Sequence, residues 1–228
     1  MAVEARPGPG TATPGLSRVP DMAIDPELVA PGHTAIVLNE IQRGTVGDRS
    51  SLPMLVDAAA PMVSQVARLV RAGRAAGVQV VHCVAGGRVD MKGSMQNTVF
   101  AGRARRDAEK NPRRAEDLAA FAEVVPEVGV EPEDLLFNRL HAMSPMTDTG
   151  LDLVLRNIGV TTIVAGGVSL NVGVMGLVIE AANRSYNVVI PRDAAVGVPP
   201  EYGEMVLQNS LSLISRLTTV DELIDIWS

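Results

Sequence analysis

The chain has 228 residues, and its 20 lysines and arginines against 26 aspartates and glutamates give a formal net charge of -6. This acidic balance, with only 3% aromatic residues, argues against a nucleic-acid partner, and no apolar run approaches the roughly 18 residues that span a membrane. One core-forming domain is expected from 46% apolar residues, and the single cysteine, Cys83, excludes an internal disulfide framework and fits a cytoplasmic location.

The first part of the chain differs in composition from the rest. Residues 1–32 are rich in proline and glycine, a composition that cannot build a core. We predict an N-terminal arm there, either flexible or packed on a partner subunit. Residues 33–228 are predicted to form a single domain.

Within that domain, short apolar runs alternate with segments of helical period. The predicted strands are 34–38, 78–81, 134–137, 161–165 and 187–190, and the predicted helices are centred on 62–70, 151–158, 174–181, 200–214 and 220–227. The alternation predicts an α/β fold, a three-layer, doubly wound and mainly parallel sheet with helices on both faces.

A polar segment interrupts the alternation between residues 88 and 130, with two weak helical stretches. It carries a basic cluster: Arg103, Arg105, Arg106, Lys110, Arg113 and Arg114. The cluster is interpreted either as a solvated helix face or as a lid that attracts an anionic substrate.

In a sheet of this kind, ligands bind beyond the carboxyl ends of the strands. The residues that follow the predicted strands are therefore candidates for the site: Glu40, Gln42, His82, Cys83, Arg139, His141, Ser169 to Gly173, and Asp193. Glu40 follows an apolar strand, where desolvation raises the pKa of a carboxyl group and suits it to acid–base catalysis. A capping carboxylate is the alternative interpretation.

The segment 166–173 joins a predicted strand to an apolar helix. Its glycines let backbone N–H groups approach a ligand, and a helix N-terminus favours negative charge. A substrate carboxylate or a developing oxyanion is expected there, with Ser169, Asn171 and Gly173 as binding residues.

The remaining titratable groups leave alternatives open. His141 could titrate near neutrality, although a single histidine is more often structural. Cys83 lies next to His82, which suggests an activated nucleophile, but adjacent strand residues point to opposite faces, which favours a buried core thiol. No zinc-ligand spacing is present, and the sequence implies neither a cofactor nor a metal.

Four segments resemble the isochorismatase-like hydrolase superfamily in order and spacing. They are 34–42, which is similar to the family's strand ending in Asp-x-Gln; 144–152, similar to its SAF-x-GT-x-LD segment; 164–174, similar to its GV-x-x-x-x-C-V turn; and 187–194, similar to its V-x-x-x-D-A strand. The resemblance covers the chain from about residue 33 to 227. It implies the same α/β fold, a small-molecule substrate or ligand, and a homo-oligomer.

Cysteine hydrolases of this family use an Asp, a Lys and a nucleophilic Cys. The resemblance places Glu40 at the position of the Asp, Leu140 at that of the Lys and Gly173 at that of the Cys. Arg139 or His141 could supply the charge of the absent lysine.

The isochorismatases proper resemble this chain in the turn, with GVYAH-x-G where it has residues 167–173. In that branch a carboxyl group is thought to protonate an enol ether, and water completes the hydrolysis. The resemblance also implies a cis peptide bond at Val168–Ser169.

Three functions remain under consideration. The first is a hydrolase of a small, carboxylated cyclic substrate, an enol ether or amide, with Glu40 as acid/base and with Gln42 and His82 among its binding residues. The second is a catalytically inactive family member that binds a small molecule or an active paralogue. The third, a minor one, assigns the nucleophile to Cys83.

Overall fold

A computed structural model describes residues 23–112, 114–140 and 143–228. Within these ranges the strands are β1 (Thr34–Asn39), β2 (Gln79–Ala85), β3 (Leu135–Arg139), β4 (Thr162–Val168), β5 (Asn187–Pro191), β6 (Ala195–Val196) and β7 (Arg216–Thr218). The helices are α1 (Arg43–Val46), α2 (Pro53–Ala76), α3 (Val99–Lys110), α4 (Ala115–Ala122), α5 (Leu151–Asn157), α6 (Gly173–Asn183), α7 (Pro200–Asn209) and α8 (Val220–Trp227).

All the strand pairs are parallel, in the order β3-β2-β1-β4-β5-β7, with β6 pairing separately with β4. The chain builds outward from β1 to β3 on one side and from β4 to β7 on the other. This arrangement confirms the predicted α/β fold with a doubly wound sheet. The direction of winding changes between β1 and β4, and the carboxyl ends of these two strands, here called the crevice, are where sheets of this kind bind ligands.

Two apolar layers enclose the sheet because successive strand side chains point to opposite faces. Ile36 and Leu38 of β1 pack into the layer that contains α2 and α8. Ala35 and Val37 pack into the opposite layer, with α5, α6 and α7. All six residues of β1 are buried, as expected of a central parallel strand.

The end of the chain differs from the sequence prediction. The helix predicted over 200–214 ends at Asn209 in α7, and a short 3-10 turn, Leu211–Leu213, follows it. The strand β7 was not predicted, because its three residues carry no apolar run and their strand conformation comes from pairing with β5.

The described part of the predicted N-terminal arm lies against its own chain. Two 3-10 turns, Pro26–Val29 and Pro31–His33, lead into β1. Val29 is fully buried, and its carbonyl accepts a hydrogen bond from Trp227 Nε1 at 2.8 Å. This contact joins the segment before β1 to the end of α8. The remainder of the predicted arm, residues 1–22, lies outside the described residues.

The polar segment between β2 and β3 contains the two helices that the sequence indicated, α3 and α4. Arg103, Arg105, Arg106 and Lys110 are all exposed on α3, in agreement with a solvated helix face, and Arg113 lies outside the described residues. The helix α4 packs on α1, where the Phe121 ring occupies the space in which a Cβ on Gly44 would lie.

Candidate active site

The site is built around Glu40, the first residue after β1. Its backbone adopts the left-handed region with φ 55°, an uncommon conformation for a residue with a Cβ, and its N–H donates to Cys83 O at 2.8 Å. This turn directs the chain away from the sheet. A quarter of the Glu40 side chain remains exposed.

Arg139 provides the cation beside Glu40. It ends β3, two strands away from β1, and its side chain is only 2% exposed. Its guanidinium donates to Glu40 Oε1 and also to the carbonyl of Met143, at 3.2 Å. Of the two residues considered as replacements for a lysine, Arg139 therefore makes the ion pair, and His141 lies outside the described residues.

Burial is the main influence on the acidity of Glu40. Desolvation raises the pKa of the carboxyl group above its ordinary value of 4.5, and the Arg139 charge and hydrogen bond only partly oppose this. The protonated form is therefore populated at a higher pH than in a solvated glutamate. A carboxyl group of this kind can act as a general acid.

The other side of the crevice is the turn between β4 and α6. Gly167 has φ 105°, and a Cβ there would lie inside 3.0 Å of the Asn39 carbonyl oxygen, so only glycine fits. The peptide bond Val168–Ser169 is cis, which confirms the expectation from the resemblance.

The start of α6 leaves backbone donors available. Val174 N–H donates to Ser169 O at 3.0 Å. Neither Ser169 N–H nor Gly173 N–H donates to an acceptor in the part of the chain that the structure describes. The first N–H groups of a helix have no partner within the helix and carry partial positive charge. The turn can therefore bind an anionic group.

Asn39 is a residue of this site that sequence reasoning missed. It is fully buried at the end of β1, and its Nδ2 donates to the carbonyl oxygen of Val168. The sequence signal that could have identified Asn39 is its position, because a carboxamide directly follows the apolar run from Thr34 to Leu38.

Two predicted binding residues have structural partners instead of facing the crevice freely. Gln42 is fully buried, and its amide bonds to Ala85 N, Ala85 O and Phe121 O at 2.6, 2.9 and 3.0 Å. His82 is 1% exposed, and its Nε2 lies 3.0 Å from Asp134 Oδ2, on the face of the sheet that α2 covers. Neither residue belongs to the proposed contacts with substrate.

Asn171 lies in the turn before α6. Its Nδ2 donates to Val198 O at 3.1 Å, and its Oδ1 is buried without a hydrogen-bond partner among the described residues. Asp193, which follows β5, accepts a hydrogen bond from Val220 N at 2.9 Å and so caps the start of α8. It belongs to the helix cap.

Cys83 is a core residue, which argues against the interpretation of it as a nucleophile. Its side chain lies in the apolar layer with α6, is 1% exposed, and burial raises the pKa of the thiol to about 12. A thiol of this kind is neither ionised nor accessible at neutral pH.

Native protein is therefore expected to be inert to iodoacetamide at pH 8, because the Cys83 thiol is buried and protonated. In guanidinium chloride the same protein should take up one label per chain. Intact-mass spectrometry measures both states. Rapid labelling of the folded protein would contradict the assignment of Cys83 to the core.

An open cavity of about 780 Å³ lies beside the site, beyond β2 and β3. Val84, Leu118 and Leu136 contribute apolar surface, and Arg88 and Asp90 lie at its polar part. Neither Glu40 nor Arg139 lines it. Among the described residues, no cluster of three His, Cys, Asp or Glu side chains could hold a metal ion, and no helix is long and apolar enough to cross a membrane.

The parallel sheet with helices on both faces is a doubly wound α/β architecture, and the candidate site lies at the junction of β1 and β4. An isochorismatase domain model matches residues 34–222, and the chain therefore belongs to the isochorismatase family.

Individual relatives agree with this assignment. The chain is 32% identical over 107 residues to the uncharacterized isochorismatase family protein YwoC of Bacillus subtilis, covering 47% of this chain and 56% of that protein. It is 27% identical over 189 residues to the ureidoacrylate amidohydrolase RutB of Methylobacterium radiotolerans, covering 78% of this chain and 72% of that one.

Among solved structures, a cysteine hydrolase from Pseudomonas syringae pv. phaseolicola matches with a TM-score of 0.72 and 22% identity, covering 90% of this chain and 95% of that one. At that identity, the match establishes the fold alone.

Proposed function

We propose that this protein hydrolyses a small, carboxylated cyclic substrate without a cysteine nucleophile. The observation that carries the proposal is the Glu40 carboxyl group, which has a raised pKa and lies in an ion pair with buried Arg139. The position that resembles the family's cysteine is Gly173, and Cys83 is inaccessible. A carboxyl group is the remaining acid–base catalyst of the crevice.

For an enol ether, protonated Glu40 transfers its proton to the alkene carbon, and the carbon that bears the ether oxygen becomes electrophilic. Water adds to that carbon and gives up a proton to the Glu40 carboxylate, and the resulting hemiketal collapses to a carbonyl compound and an alcohol. The Arg139 guanidinium stabilises the carboxylate between the two proton transfers.

For an amide, the same groups act in the opposite order. The Glu40 carboxylate accepts a proton from the attacking water and returns it to the leaving nitrogen, and the amides of Ser169 and Gly173 stabilise the oxyanion. The relative RutB is a ureidoacrylate amidohydrolase, which supports including amides among the substrates.

The test is turnover of isochorismate and of a panel of small cyclic carboxylic acids and amides by wild type and by Glu40→Gln. We expect Glu40→Gln to reduce kcat by at least about 100-fold, since general acid–base catalysis contributes that much or more. Glu109→Gln, at an exposed position on α3, is the matched control. Unchanged turnover by Glu40→Gln would remove Glu40 from the mechanism.

The pH dependence of kcat distinguishes hydrolysis of an enol ether from hydrolysis of an amide. Where Glu40 is the acid, kcat falls as the pH rises through its raised pKa, because the active form is protonated. Where Glu40 is the base, kcat rises over the same interval.

A binding function without catalysis is the second candidate. It is favoured by the fact that Arg139 bonds Glu40 and the Met143 carbonyl together, as a purely structural ion pair would. No turnover of any panel member, together with thermal stabilisation by one of them, would establish this function. Self-association and a cytoplasmic location remain predictions from the sequence.

A further inference from the structure

The start of α6 lies directly on the carboxamide of Asn39. A Cβ built on Gly173 would lie inside 3.0 Å of Asn39 Nδ2 and 3.2 Å from the Val168 carbonyl oxygen. Real Cβ atoms essentially never come this close to another heavy atom. Any side chain at position 173 therefore requires Asn39 or the backbone to move.

Asn39 has little freedom to move. It is fully buried, and its backbone lies in register with Cys83 of β2 on one side and Gly167 of β4 on the other. Rotation of its side chain would break the buried hydrogen bond from Nδ2 to Val168 O and leave the carbonyl oxygen without that donor. The carboxamide thus behaves as a fixed part of the floor of the crevice.

We propose that Asn39 is the residue that excludes a nucleophile from this site, because its carboxamide fills the space in which a side chain at position 173 would begin. Asn39, the last residue of β1, and Gly173, the first residue of α6, then form a matched pair. The inference rests on the proposed cysteine-free function, and it adds that one substitution at position 173 is not enough to restore a thiol.

The experiment is a double-mutant cycle read by thermal unfolding. In the Asn39 background, Gly173→Ala adds a single methyl group and is expected to lower Tm by about 5 °C or more, as overpacking does in a chain of this size. In the Asn39→Ala background the same substitution should lower Tm by less than about 2 °C, because the carboxamide is gone.

A second glycine serves as the control. A Cβ on Gly102 of α3 meets no atom closer than Arg106 Nη1 at 3.6 Å. Gly102→Ala should therefore raise Tm by a few degrees through helix propensity, and by the same amount in both backgrounds. An equal loss of Tm for Gly173→Ala in the presence and absence of Asn39 would overturn the proposal.

A thiol gives an independent readout. Asn39→Ala/Gly173→Cys should fold and take up one iodoacetamide label per native chain, since a helix N-terminus favours the thiolate and Cys83 stays protected. Gly173→Cys alone should either unfold at a lower temperature than the double variant or fail to fold. If the single variant is as stable and as reactive as the double variant, Asn39 does not exclude the nucleophile.

These readouts are independent of turnover. Failure of the double-mutant cycle would leave the role of Glu40 intact, and unchanged kcat in Glu40→Gln would leave the packing of Asn39 against Gly173 intact. The two proposals can therefore fail separately.

Discussion

Arg139→Leu is expected to lower the free energy of unfolding by about 3 kcal/mol at pH 7, because removal of one member of a buried ion pair leaves the other charge uncompensated. The Arg139 side chain is 2% exposed, and its guanidinium bonds both Glu40 and the Met143 carbonyl. Leucine replaces neither bond. Urea denaturation at pH 7, read by circular dichroism, measures the loss.

The loss should depend on pH in a defined direction. Without the Arg139 charge and hydrogen bond, both of which lower the pKa of Glu40, that pKa rises further. A raised carboxyl pKa contributes stability below the ordinary value of 4.5, and that contribution disappears as the pH rises through the folded-state pKa. The difference between Arg139→Leu and wild type should therefore shrink at pH 4 and widen toward pH 7.

Two variants control this experiment. Arg139→Lys retains a charge without the guanidinium geometry and should lose less stability than Arg139→Leu. Adding Glu40→Gln to Arg139→Leu removes the uncompensated carboxylate and should recover part of the loss. A loss that is independent of pH and is not reduced by Glu40→Gln would show that the ion pair contributes nothing beyond side-chain packing.

Asp134→Ala is expected to destabilise the fold by about 4 kcal/mol, again because buried charged groups lose their partner. Asp134 is 3% exposed and accepts hydrogen bonds from Arg74 of α2 and from the Glu131 amide at 2.9 Å. It also lies 3.0 Å from His82 Nε2. These contacts join α2, β2 and the approach to β3, so the substitution affects three elements together.

The loss of stability at acidic pH depends on the same carboxylate, Asp134. Burial tends to raise the pKa of Asp134, but the hydrogen bonds from Arg74, the Glu131 amide and His82 outweigh it and hold the pKa below its usual 3.8. The resulting stability is present above that ordinary value and is lost as the pH falls through the lowered folded-state pKa. Asp134→Asn should therefore be less stable than wild type at pH 7 and lose less stability between pH 5 and 2.

Asp221→Ala provides the matched control. Asp221 pairs with Arg68 on the surface, with the two side chains 69% and 42% exposed, and such pairs contribute about 1 kcal/mol or less. A cost for Asp134→Ala no greater than that of Asp221→Ala would contradict the role of Asp134 as a buried link.

The sequence was sufficient for the central strands because they are fully buried, and continuous apolar runs such as 34–38 then mark them directly. It was insufficient for β6 and β7, which have two and three residues. Those strands depend on pairing with β4 and β5, and pairing between distant segments leaves no local pattern.

The candidate site shows the same division. The position of Glu40 at the end of a strand was readable, and so was the turn before α6. The choice between Arg139 and His141 could not be made from the sequence, because the path of the chain after β3 decides which side chain reaches Glu40. The importance of Asn39 was not readable either, since it depends on contact with a residue that follows it by more than 100 positions.

The crevice lies along the boundary between the two halves of the sheet. Glu40 and Arg139 belong to the half that contains β1 to β3, and the amides of Ser169 and Gly173 belong to the half that begins with β4. Main-chain pairing of β1 with β4, from Thr34 with Thr162 to Asn39 with Gly167, fixes the separation between these groups. A shift of one residue in this register would move one half of the sheet by about 3.3 Å relative to the other. The width of the crevice is therefore set by main-chain pairing within the sheet, and surface loops do not change it.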